Sequence, residues 1–143
     1  MSTGLYDQDY AEWAEETAKL LREGRLQEVD MDHVAEEIED MGKSQRHQLR
    51  SRVTQIREHL LKLKLTSGAV RENHERGWLG SIRRQQGEIR QLLQESPSLQ
   101  SKLTADMLQQ CYSDAAEIVG TEFDVEPPMS CPFGLAEVLP HER

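Results

Sequence analysis

The sequence predicts an all-α protein, about five helices in a mainly antiparallel bundle with a proline-containing C-terminal tail, and two observations carry that prediction. Apolar residues recur at spacings of 3 and 4 along most of the chain, the period of a helix with one buried face. No stretch alternates apolar and polar residues with the period of 2 that a half-buried strand requires. Hydrophobic content of 36% against 30% charged suits strongly amphipathic helices. At 143 residues the chain reads as one domain, a helical bundle over 1–120 with a tail over 121–143 packed on it.

Each element has its own signals. Asp7 reads as the N-cap of the first helix, in which Tyr10, Trp13, Ala14, Thr17, Leu20 and Leu21 share a face, and Gly24 is a natural stop. Asp30 caps the next. An apolar stripe then runs through Val34, Ile38, Met41, Gln45, Leu49, Val53, Ile56, Leu60 and Leu63. Gly42 and Ser44 interrupt it as a C-cap and N-cap would, so two helices are expected, about 31–42 and 44–66, with one bent helix as the alternative. Asn73 is expected to cap a helix carrying Trp78, Leu79, Ile82, Gln86, Ile89, Leu92 and Leu93. Ser96-Pro97 is a start pair for the last long helix, which Gly120 ends. Pro127-Pro128 forces an extended stretch, and a short terminal helix is expected over 135–139. Phe133, Leu135 and Leu139 are expected to pack the tail down.

Charge is sorted along the chain. Residues 1–42 hold 13 Asp/Glu and three Lys/Arg, residues 43–95 hold 12 Lys/Arg and five Asp/Glu, and residues 96–143 hold two and eight. Acidic elements are therefore expected to cover a basic centre, with helix 31–42 against helices 44–66 and 74–95. A net charge of −9 argues against nucleic-acid binding through bulk charge. No apolar run approaches the roughly 18 residues of a membrane span. Met1–Gly4 shows neither the basic start nor the apolar stretch of a signal peptide. Cys111 and Cys131 are too few for a disulfide framework, and a reduced, cytoplasmic setting is expected.

The chemistry-bearing residues form no catalytic constellation. His33, His47, His59 and His74 show no Glu-x-x-His, no His-x-x-x-His and no Cys-x-x-Cys partner, so no metal and no cofactor is predicted. His59 lies beside the apolar stripe and is expected to pair with Glu36, Glu37 or Glu39; that set is also the alternative metal or small-ligand site. Arg46, Arg50 and Arg57 fall roughly on one helix side, and the basic helices of 44–95 are the alternative nucleic-acid surface. Trp78 is a core residue or an aromatic that docks a partner. Cys111 reads as buried and inert, and Cys131 has no neighbour to activate it.

Several segments in order resemble the bacterial family catalogued as domain of unknown function 29. They are Leu5-Tyr6-Asp7-Gln8-Asp9-Tyr10 with Trp13, Leu20-Leu21-Arg22 before Gly24, and Asp30 with Glu36-Glu37-Ile38-Glu39 and Met41-Gly42-Lys43-Ser44. His59-Leu60-Leu61-Lys62, Trp78 with Ile82, Ile89-Arg90, Ser96-Pro97-Ser98-Leu99, Tyr112 with Ala115, and Cys131-Pro132-Phe133 complete the series. The resemblance spans essentially the whole chain. It implies an all-helical, bundle-like fold and no activity. The expected function is that of a non-enzymatic protein-interaction or regulatory module, binding another protein or itself, with no membrane association.

Overall fold

A computed structural model describes residues 4–139. Met1–Thr3, on which most of the signal-peptide reading falls, and residues 140–143 lie outside the described residues. The helices are α1 (Leu5–Gln8), α2 (Tyr10–Arg22), α3 (Met31–Leu65), α4 (Gly68–Glu95) and α5 (Ala105–Phe123). Short 3₁₀ turns stand at Leu26–Glu28, Pro97–Lys102 and Leu135–Glu137, and no strand occurs among the described residues. The all-α expectation holds. The chain divides into two compact units, Met1–Ser44 and Gln45–Arg143.

In the first unit, Asp9 rather than Asp7 caps α2, its side chain accepting from the Glu12 N–H at 3.1 Å. Asp7 is instead inside α1, a helical turn that precedes the cap. The end of α2 follows the sequence signal: Gly24 takes φ 73°, and the Arg25 N–H reaches the Leu20 carbonyl at 2.9 Å. That bond closes a Schellman turn, for which a residue without Cβ is preferred. Asp30 caps α3 as expected, accepting from the His33 N–H at 3.3 Å. Among the described residues of this unit, Trp13, Thr17, Leu20 and Val29 are buried.

The two helices expected over 31–66 are one helix of 35 residues. A glycine inside a helix costs about 1 kcal/mol, less than leaving two new sets of terminal N–H and C=O groups to be satisfied. Gly42 and Ser44 are therefore carried through, and 31–42 is no separate helix laid against 44–66. None of its residues before Leu49 is buried.

In the second unit α3, α4 and α5 form a three-helix bundle. Arg52 bonds Gln85 and Gln45 accepts from Ser96, so positions rise on α4 as they fall on α3: the pair is antiparallel. Arg50 reaches Gln110 and Lys62 reaches Glu122, so α5 runs parallel to α3. The joint between α3 and α4 is only Thr66–Ser67, with Gly68 at φ 62°. That places the start of α4 before the expected cap Asn73. Leu49, Val53 and Ile56 of α3 meet Ile82, Ile89 and Leu92 of α4, Leu99, Met107 and Cys111 in one core. Burying each large aliphatic chain contributes about 1.5–3 kcal/mol.

Ser96-Pro97 begins the 3₁₀ turn Pro97–Lys102, not the long helix. Thr104 then caps α5, accepting from the Met107 N–H at 3.1 Å. Nor does Gly120 stop α5, which ends at Phe123 with Asp124 in the left-handed region at φ 52°. Gly120 is small because the tail crosses it: a Cβ there would sit 3.2 Å from the Val125 carbonyl oxygen and 3.4 Å from Pro127 Cδ. The tail is tied by Tyr112 donating to the Pro128 carbonyl (2.5 Å) and Gln86 donating to that of Glu137 (2.6 Å). Its apolar anchors are Phe133, Leu139 and the fully buried Val138, whereas Leu135, expected to pack, is exposed. The terminal helix is the 3₁₀ turn Leu135–Glu137.

Candidate functional site

The acidic opening of α3 carries the first candidate surface. Glu37 accepts from the Tyr6 hydroxyl at 2.5 Å and from the Tyr10 hydroxyl. Those bonds, Tyr10 first, hold its carboxyl below the usual carboxylate range and push both phenols up. Tyr6 stacks on the His33 ring at 3.9 Å and meets Trp13 edge-on at 4.8 Å. His33 Nδ1 lies 2.5 Å from Asp30, whose bond raises the imidazole pKa. On the same helix Val34, Ile38 and Met41 fall at i, i+4 and i+7, one face. Ile38 is 63% exposed and Met41 68%. Glu36 and Glu39 are exposed beside them.

The sequence linked Glu36, Glu37 and Glu39 to His59. The structure does not assemble that set. All four stand on α3, but His59 follows Glu39 by 20 positions, and two ligands on one helix face must be three or four apart. Glu37 is taken by the tyrosines. His59 is half-buried with Nδ1 unpartnered, and burial, aided by Lys62 and Arg84, pushes its pKa down. No group of three or more His, Cys, Asp or Glu suited to a metal occurs among the described residues.

The three arginines separate. Arg46 and Arg50 are exposed and flank a cavity of about 230 Å³ with Leu49, Lys102 and Met107. Arg50 also donates to Gln110 at 3.1 Å and borders an open groove of about 550 Å³ between α3 and α5. Arg57 is only 1% exposed, and its Nε and Nη1 have no hydrogen-bond partner among the described residues. Its guanidinium carbon lies 5.8 Å from the centre of the Phe133 ring. A side chain so placed cannot belong to an exposed basic face, so the Arg46/Arg50/Arg57 surface is corrected to Arg46 and Arg50.

Trp78 is buried, with the His74 ring stacked at 5.3 Å and Phe123 edge-on at 6.1 Å. Lys62, which sequence reasoning passed over, lies 6.0 Å from the Trp78 ring centre and binds Glu58 and Glu122 at 3.1 Å each. Burial alone would lower its pKa, but the two carboxylates outweigh it and the pKa is raised. The Glu58/Lys62 spacing of four was a visible signal; Glu122, some 60 residues on, was not. Cys111 is fully buried, and that burial pushes its thiol up, as for an inert core cysteine.

No described helix is long and apolar enough to cross a membrane. No curated protein and no solved structure matches the chain. The family described as Domain of unknown function DUF29 matches residues 5–142. With ordered helices from Leu5 onward and the matched segment covering nearly every residue, the chain belongs to that family.

Proposed function

We propose that the protein is a non-enzymatic interaction module whose acidic opening segment of α3 docks a basic amphipathic helix of another protein. The observation that carries this reading is the exposure of Ile38 and Met41, 63% and 68%, on one face of a helix flanked by carboxylates. Large apolar side chains left in water beside one another mark a docking surface more often than scattered ones do. An apolar stripe at helical spacing suits a helix as its occupant. Residues 1–44 hold 13 Asp/Glu and four Lys/Arg, so the complementary partner is positively charged, and the same face of a second copy is repelled.

The test is fluorescence anisotropy with a labelled Leu/Lys amphipathic helical peptide, beside a scrambled peptide of equal composition. Binding of the patterned peptide alone, weakened at least about tenfold by Ile38→Ser with Met41→Ser, is expected, since each large buried side chain in such a contact is worth over 1 kcal/mol. Equal affinity for both peptides, or no effect of the double substitution, overturns the reading.

A further inference from the structure

We infer that Arg57 anchors a small oxyanion, a carboxylate or phosphate, beneath the tail at Phe133. Among the described residues Arg57 is the largest fully buried side chain, and its Nε and Nη1 hydrogens meet no acceptor there. Guanidinium keeps its proton under all ordinary conditions, so burial cannot neutralise it as it would a lysine. A buried charge is retained in proteins where something pairs it.

Among the described residues the neighbouring side chains do not pair it. Glu58, next along α3, and Glu122 of α5 both bind Lys62 at 3.1 Å. Leu61, one turn on along α3, packs with Tyr112, Ala115 and Val119, all apolar or facing elsewhere: the Tyr112 hydroxyl donates to Pro128. Phe133 offers the cation a ring face at 5.8 Å, an attraction that supplies no hydrogen-bond acceptor. A trapped water would accept a hydrogen bond yet leave the charge uncompensated. An oxyanion satisfies both needs, and planar guanidinium is the side chain best matched to carboxylate and phosphate oxygens.

Access is built into the same region. Phe133 lies in the segment between two ties to the bundle, the Tyr112–Pro128 and Gln86–Glu137 hydrogen bonds. The segment between them includes Cys131–Gly134, which belongs to no helix, so the roof over Arg57 is a short strap rather than a packed element. The open groove between α3 and α5 reaches Thr54, one helical turn from Arg57.

Melting of the full-length chain in sodium phosphate and in sodium acetate, against sodium chloride at equal ionic strength, tests this. A saturable rise with one oxyanion beyond chloride is expected, about 3–5 °C at several times its dissociation constant, and the salt that produces it identifies the oxyanion class. Arg57→Met should abolish the rise; Arg57→Lys, which keeps charge but loses the planar fork, should weaken the apparent affinity several-fold. Arg83→Gln, an exposed arginine on α4, should leave the rise intact. Both oxyanions tracking chloride overturns the inference, as does a wild-type response in Arg57→Met. If Arg57→Met fails to fold, Arg57→Lys decides: unchanged affinity overturns the inference and weakened affinity supports it.

Discussion

Lys62 and His33 show how single residues take their roles from charge placed around them. Lys62 has a side chain only 8% exposed, held by Glu58 and Glu122 and lying against the rings of Trp78 and Phe123. Lys62→Ala removes the cation and the stem packed on Trp78, and should cost about 2–3 kcal/mol in chemical denaturation, below the full loss for a buried pair because Glu122 is half in water. Lys62→Met keeps the stem but still leaves Glu58 without its cation, and should cost about 1 kcal/mol less than Lys62→Ala; equal losses for both variants would show that packing contributes nothing. His33 is tuned by Asp30, which raises its pKa, while the Asp30 carboxyl is lowered by the same bond. A raised histidine stabilises fully below its unfolded value of about 6.5 and loses that contribution as pH rises through the folded pKa. A lowered aspartate stabilises above about 3.9 and loses it as pH falls through its folded pKa. The first unit should therefore be most protected between those values. Protection of the α2 amides against hydrogen exchange, corrected for the intrinsic pH dependence of exchange, should peak there, and His33→Gln should remove the decline on the alkaline side.

Helix ends show what the sequence made legible and what it hid. Gly24 and Asp30 perform the roles their residue types announce, because the bonds involved are local. Gly42 and Gly120 carry the same residue type without the role. Gly42 stays helical, and Gly120 is small because Val125 and Pro127 arrive from the tail, a contact no window around position 120 contains. The Glu37 contacts with Tyr6 and Tyr10 were hidden for the same reason, being 31 and 27 residues apart. Arg57 was legible as one of a basic set but not as buried, since the Phe133 ring that lies over it stands 76 residues on in the chain. Gly120→Ala should destabilise by about 1–3 kcal/mol through overpacking against the tail. Thr104→Ala, which removes only the α5 cap, should cost about 1 kcal/mol. Urea midpoints check both, and a neutral Gly120→Ala would mean the tail yields freely.

Burial across the whole chain is uneven, and that sets an order of opening. Among the described residues four are buried before position 45, whereas the core of the second unit joins three helices, the 3₁₀ turn at Leu99 and the tail through Val138. The first unit also carries 13 acidic residues against four basic, while residues 45–143 are balanced at 13 each, so self-repulsion acts on the smaller core. Regions with few buried apolar contacts open at lower free energy than the global transition. Because α3 belongs to both units, its amides should report both classes within one helix. Positions 31–48 should exchange through local opening, and positions 49–62 only with α4 and α5. Ile56→Ala, at a site with no exposure, should lower the protection of the second class by about 2–5 kcal/mol. It should leave α2 and the start of α3 unchanged, since their opening does not pass through that core. Native-state exchange of the variant decides it: an equal loss of protection along the whole of α3 would make the chain one cooperative unit.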